Sequence, residues 1–134
     1  MKNFSKLIEK SKRLHQAGKI DEAIENYKVL VKTIRNNSQI YYLLGTAFLQ
    51  KKNYKQALLY LTKAIKIKDD VETYYNNIGI ALSQLNNNEE AIVNYKKALN
   101  INPNFTDANI NLGIAYKKVI KFKESIKYFN NALK

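Results

Sequence analysis

Small residues return at one fixed interval along this chain. Ala23, Ala57, Ala91 and Ser125 stand 34 positions apart. A second series, Ser11, Gly45, Gly79 and Gly113, keeps the same interval twelve residues upstream. Two series locked to one period over the full length constrain the fold strongly. A 34-residue period is that of a two-helix unit whose copies stack on one another.

The period divides the chain into units 4–37, 38–71, 72–105 and 106–134, the last one short, within a single domain spanning 1–134. Counting from the start of each unit, position 4 holds Leu7, Tyr41, Tyr75 and Asn109, and position 11 holds Leu14, Phe48, Leu82 and Tyr116. Position 20 holds the Ala23 series, position 24 holds Tyr27, Leu61, Tyr95 and Phe129, and position 27 holds Leu30, Ala64, Ala98 and Ala132. Positions 4, 7, 8 and 11 share one face of a helix, as do 20, 24 and 27. Each unit is therefore expected to form two amphipathic helices, eight in all. The breaks within units are expected near Ala17-Gly18-Lys19, Lys52-Asn53, Asn86-Asn87-Asn88 and Ile120-Lys121. Between units, Asn36-Asn37-Ser38, Asp69-Asp70 and Asn102-Pro103-Asn104 supply residues able to cap the next helix. The small residues fit where two helix backbones cross closely.

This pattern resembles the tetratricopeptide repeat family. The likeness covers residues 4–134 and is fullest in the third unit, through Tyr75, Ile78, Gly79, Leu82, Glu90, Ala91, Ile92, Tyr95, Ala98 and Pro103. Asn109 and Ser125 depart from it in the fourth unit, and Arg35 and Asp69 replace the family's terminal proline. The fold implied is all-α, a right-handed superhelical solenoid.

The two ends differ. Positions 3, 7 and 10 are apolar or small in units 2 to 4 but are Lys6, Lys10 and Arg13 in unit 1. A polar outer face is what a terminal repeat needs, so residue 4 is expected to lie near the start of the array. The second helix of unit 4 instead carries Phe122, Ile126, Phe129 and Leu133. That apolar face is expected to be covered, either by self-association of this uncapped repeat or by more of a longer protein.

By resemblance, the first helices of successive units line a concave face. The implied peptide groove comprises Tyr42, Thr46, Leu49, Thr73, Asn76, Asn77, Ile80, Ile110, Asn111, Ile114 and Lys117. Asn77 and Asn111 hold the same position in Asn-Ile-Gly and Asn-Leu-Gly. Each offers a donor and an acceptor to an extended backbone, and the pair resembles the asparagine ladder of the O-linked N-acetylglucosamine transferase repeats. The carboxylate clamp of chaperone-binding members is a different case. Its slots hold Ile8, Lys12, Leu43, Thr73 and Asn77 in one register, and Tyr42, Thr46, Asn77, Asp107 and Asn111 in the next. One asparagine fits and the cations do not, so capture of a C-terminal carboxylate in that way is not expected.

Nothing here assembles a catalyst. His15 is the sole histidine, with no nucleophile or positioned carboxylate beside it in the pattern. There is no cysteine, no phosphate-cradling glycine loop, and Asp69-Asp70-(x)-Glu72 lacks the spacing of a calcium loop. No cofactor or metal is expected. The net charge of +12 comes from 21 Lys against two Arg. Arg is the better suited to phosphate and guanine, and lysine enriched with 18 Asn and 15 Ile fits an A+T-rich coding sequence. Nucleic acid is thus not the favoured partner. No apolar run reaches the ~20 residues of a membrane span, and the N-terminus has no export signal, so a cytoplasmic location is expected. The function expected is a non-enzymatic scaffold binding a protein, as peptide or helix, in the concave groove. The alternatives are the substrate-recognition arm of a larger enzyme such as a glycosyltransferase, or a basic surface for nucleic acid or anionic lipid.

Overall fold

The computed structural model describes residues 4–132, with side chains through Asn130 apart from Ser125, Tyr128 and Phe129. Seven helices follow one another: α1 (Phe4–Gln16), α2 (Ile20–Thr33), α3 (Ser38–Gln50), α4 (Tyr54–Ile67), α5 (Glu72–Gln84), α6 (Asn88–Ile101) and α7 (Thr106–Ala132). Each packs on the next in the chain, and α5 also touches α3 and α7. The result is an all-α solenoid whose odd-numbered helices from α3 onward lie side by side.

The small-residue series explains this stacking. A Cβ on Gly45 would fall 2.7 Å from Leu61 Cγ and 3.3 Å from the Ala57 carbonyl. A Cβ on Gly79 would fall 2.7 Å from Tyr95 Cδ1. In units 2 and 3, position 8 of the first helix is thus the seat for position 24 of the second, and only hydrogen fits between, whereas unit 1 places the fully buried Ser11 there. Ala23, Ala57 and Ala91 are fully buried from the other side of the same crossing. Around these crossings Tyr27, Leu30, Ile40, Leu44 and Leu61 lose essentially all contact with water, each contributing about 1.5–3 kcal/mol of burial.

Positions 3, 7 and 10 join one unit to the one before it. Ile40, Leu44 and Ala47, then Tyr74, Ile78 and Ala81, are buried, as are Ala108 and Ala115. Their counterparts Lys6, Lys10 and Arg13 are exposed.

Three turns within units share one geometry. Gly18, Lys52 and Asn86 adopt φ values of 82°, 62° and 64°. In each, the following amide bonds back to the helix: Lys19 to the Leu14 carbonyl, Asn53 to Phe48 and Asn87 to Leu82, all at 2.9 Å. This is the left-handed stop that satisfies the last carbonyls of a helix. The fourth occurrence of that position is Ile120. A β-branched side chain is strongly disfavoured at positive φ, and the helix does not stop there. The break expected near Ile120-Lys121 is therefore absent, and α7 runs on for 27 residues. Unit 4 has one helix where the periodicity suggested two.

Capping also differs from expectation at two junctions, since before α7 the Asn102 Oδ1 accepts from the Asn104 amide at 3.2 Å, outside the helix. The Asn37 side chain accepts from the Ile40 amide at 3.2 Å, as a cap should. At α5, however, the cap position is Val71, with no side-chain bond. Asp69 offers its carbonyl to the Tyr75 hydroxyl at 2.9 Å, and Asp70 pairs with Lys68 at 3.6 Å.

Candidate functional site: the α3–α5–α7 groove

Helices α3, α5 and α7 carry the residues expected to line the groove. Their second turns are tied together by a repeated bond. Asn77 Nδ2 donates to the Tyr42 hydroxyl at 3.3 Å, and Asn111 Nδ2 donates to Asn76 Oδ1 at 3.1 Å. Both bonds reach 35 residues back, from position 6 of one unit to position 5 of its predecessor. The two asparagines that sequence singled out are thus held by their neighbours rather than dangling in solvent. In each, the amide nitrogen is turned toward the preceding helix. No partner for either carbonyl oxygen occurs among the described residues.

The support beneath is aromatic. Tyr42 stacks on Tyr74 with ring centroids 4.9 Å apart, and the Tyr74 hydroxyl meets Ser38 Oγ at 3.1 Å. Asn76 is buried, only 4% exposed. A buried amide must keep its partner or lose the desolvation cost of its oxygen, so the Asn76–Asn111 bond fixes both rotamers.

A shallow hollow of about 190 Å³ opens between α5 and α7, lined by Asn76, Asn77, Ile80, Asp107, Ile110 and Asn111. Five of these belong to the expected groove set, and the sixth adds a carboxylate. Ile110 and Ile114 stand 57% and 49% exposed on the same helix, so apolar surface borders the amides. The remaining residues are less engaged. Thr46 turns its hydroxyl to the Leu43 carbonyl of its own helix at 2.9 Å. Leu49 is half-buried against the core, Thr73 is half-buried, and Lys117 is exposed on α7 outside the hollow. Farther along, Lys118 Nζ reaches Ser83 Oγ at 3.4 Å, again across 35 residues. This diagonal bonding was missed in the sequence. Comparing position 6 of one unit with position 5 of the last, rather than like with like, is the signal that reveals it.

His15 serves packing. Its Nδ1 lies 3.2 Å from the Tyr27 hydroxyl, and the ring meets Tyr27 edge-on. Burial lowers its pKa from 6.5, against a smaller upward pull from a hydrogen bond with Gln50. Among the described residues no three His, Cys, Asp or Glu side chains gather as metal ligands would, and no helix is long and apolar enough to cross a membrane.

Of the apolar C-terminal set, Phe122 and Ile126 are 68% and 45% exposed on α7. The Phe129 side chain and Leu133 lie outside the described residues.

Comparison with known proteins agrees with this architecture. The profile described as Tetratricopeptide repeat matches residues 14–78, and that described as TPR repeat matches residues 81–119. A search of curated proteins by sequence finds no match. Among solved structures, MamA superposes with a TM-score of 0.84 at 28% identity, over 98% of this chain and 77% of its own. The first TPR of Spaghetti (RPAP3), solved bound to the HSP90 peptide SRMEEVD, gives 0.83 at 24% identity, over 85% of this chain and 90% of its own. The Arabidopsis OM64 TPR domain gives 0.82 at 24%, over 85% and 94%. With two matching profiles and this shared solenoid, the chain belongs to the tetratricopeptide repeat family.

Proposed function

We propose that this chain is a non-enzymatic scaffold that holds an extended peptide along α3, α5 and α7. The observation that carries this reading is the hollow in which Asn77 and Asn111, anchored by their amide nitrogens, border Ile80 and Ile110. A fixed amide loses little rotamer freedom when it accepts a ligand N–H, which lowers the cost of binding. Exposed Ile110 and half-buried Ile80 offer burial to an apolar ligand side chain. The backbone would be gripped through the asparagines and the side chain chosen by the isoleucines.

The same geometry disfavours an acidic C-terminus as ligand. The clamp slots in this groove hold Tyr42, Thr46, Asn77, Asp107 and Asn111, and Asp107 lies in the hollow itself. A carboxylate placed there meets like charge where pairing requires a cation.

The test is a selection of peptides from a random displayed library against the whole chain, followed by calorimetry on a selected peptide. Replacing Asn77 and Asn111 together by Ala is expected to weaken binding by about 1–3 kcal/mol, and SRMEEVD is expected not to compete. Unchanged affinity in the double variant contradicts the reading. So does binding that collapses steeply with added salt, which instead marks capture by the lysine surface.

A further inference from the structure

The seat that α7 offers a second helix is empty in a specific way. In units 2 and 3 the glycine of the first helix is filled by position 24 of the second, Leu61 on Gly45 and Tyr95 on Gly79. Gly113 is the same position in unit 4, and a Cβ built there meets nothing within 4 Å. Tyr116, the counterpart of the buried Phe48 and Leu82, is likewise exposed. By repeat register the segment that belongs on this face is residues 122–132 of the same chain. It cannot reach the seat, because Ile120 occupies the left-handed turn position and α7 continues through it. Sixteen residues of helix hold position 129 about 24 Å along the axis from Gly113.

We infer that this chain forms a two-fold dimer by exchanging the C-terminal half of α7. Two α7 helices lie antiparallel and overlap over residues 110–132. Residues 122–132 of each copy occupy the seat beside Gly113 of the other, with the axis passing beside Lys121, midway between 113 and 129. Every contact is one the chain already uses twice between a first and a second helix, now made between copies. Phe122 and Ile126, exposed on the isolated chain, flank the inward face of that second helix, at positions where Ile20, Tyr54 and Leu58 are half-buried and Ile24 is buried. The exchange is isologous and closed, so it stops at two. A second copy is the occupant the register specifies, since it brings the missing segment in the correct direction and satisfies two open faces together. The proposal stands apart from the peptide groove, which lies on the side of α7 that carries Ile110 and Asn111.

The test is the mass of the full chain in solution by light scattering, with circular dichroism to verify helicity. Wild type is expected at twice its 15.5 kDa. Ile120→Gly restores a residue that tolerates the left-handed turn, lets the segment fold back on its own helix, and is expected to halve the mass with the repeats intact. Gly113→Leu fills the seat from within and is also expected to give the monomer. Because nothing lies near Gly113 in the isolated chain, that variant remains informative if Ile120→Gly folds poorly. A wild-type monomer at high protein concentration overturns the inference. A dimer that persists in folded Gly113→Leu overturns it too, since that dimer does not use the seat.

Discussion

Asn111 on α7 donates its side-chain amide to the buried Asn76 oxygen on α5, 3.1 Å away. The bond joins two repeats at the hollow between α5 and α7, so under the proposed function it would tie stability to recognition. Replacing Asn111 with Ala leaves a buried amide oxygen without its donor. The expected loss is about 1–2 kcal/mol of unfolding free energy, read by urea denaturation. Asn77→Ala is expected to lose less, because the Tyr42 hydroxyl it serves is half-buried and can turn to water. Equal losses would show that burial of Asn76 does not matter as argued.

The close crossing at Gly79 predicts a loss where helix propensity alone predicts a gain. Alanine in place of glycine favours a helix by about 1 kcal/mol. Against this, the new methyl would lie 2.7 Å from Tyr95 Cδ1, and the Tyr95 ring is buried and cannot retreat freely. Overpacking of this kind costs about 1–3 kcal/mol, so Gly79→Ala is expected to be net destabilising in thermal melts. A raised melting temperature would contradict the crossing.

Burial of His15 predicts how stability changes in mild acid. Its pKa is lowered from 6.5 in the folded chain, chiefly by desolvation. Above 6.5 the ring is neutral in both states and costs nothing. As pH falls through 6.5, the unfolded chain takes up a proton that the folded chain resists, so stability is lost on the acid side. Unfolding free energies of wild type and His15→Gln, compared at pH 8 and pH 5, are expected to diverge, with wild type falling further. Parallel curves would mean that His15 titrates freely.

Some of this was legible in the sequence and some was not. The solenoid, the buried alanine series and the polar first unit follow from residues that recur at like positions. That Asn76, Asn77, Ile80, Ile110 and Asn111 would share one side of the array came from the family resemblance rather than from the period, and the hollow they line is a structural finding. Three features escaped for physical reasons. The turn expected at Ile120 has the right phase but the wrong side chain, and phase carries no information about φ. The bonds from Asn77 to Tyr42 and from Asn111 to Asn76 run diagonally between units, where a strict 34-residue comparison cannot see them. Asp69 and Asp70 have cap chemistry, yet the chain enters α5 extended through Val71 and uses the Asp69 carbonyl for Tyr75.

The central claim is that ligand lies along α3, α5 and α7, and its most direct test is chemical-shift mapping. The isotope-labelled chain is titrated with a library-selected peptide and its amide and side-chain resonances are followed. The account predicts that the largest changes fall at Asn77, Ile80, Ile110 and Asn111, with the Asn111 side-chain amide among them. Changes confined to the second helices, around exposed Val29, Leu59 and Val93, would place the ligand on the other face and contradict it.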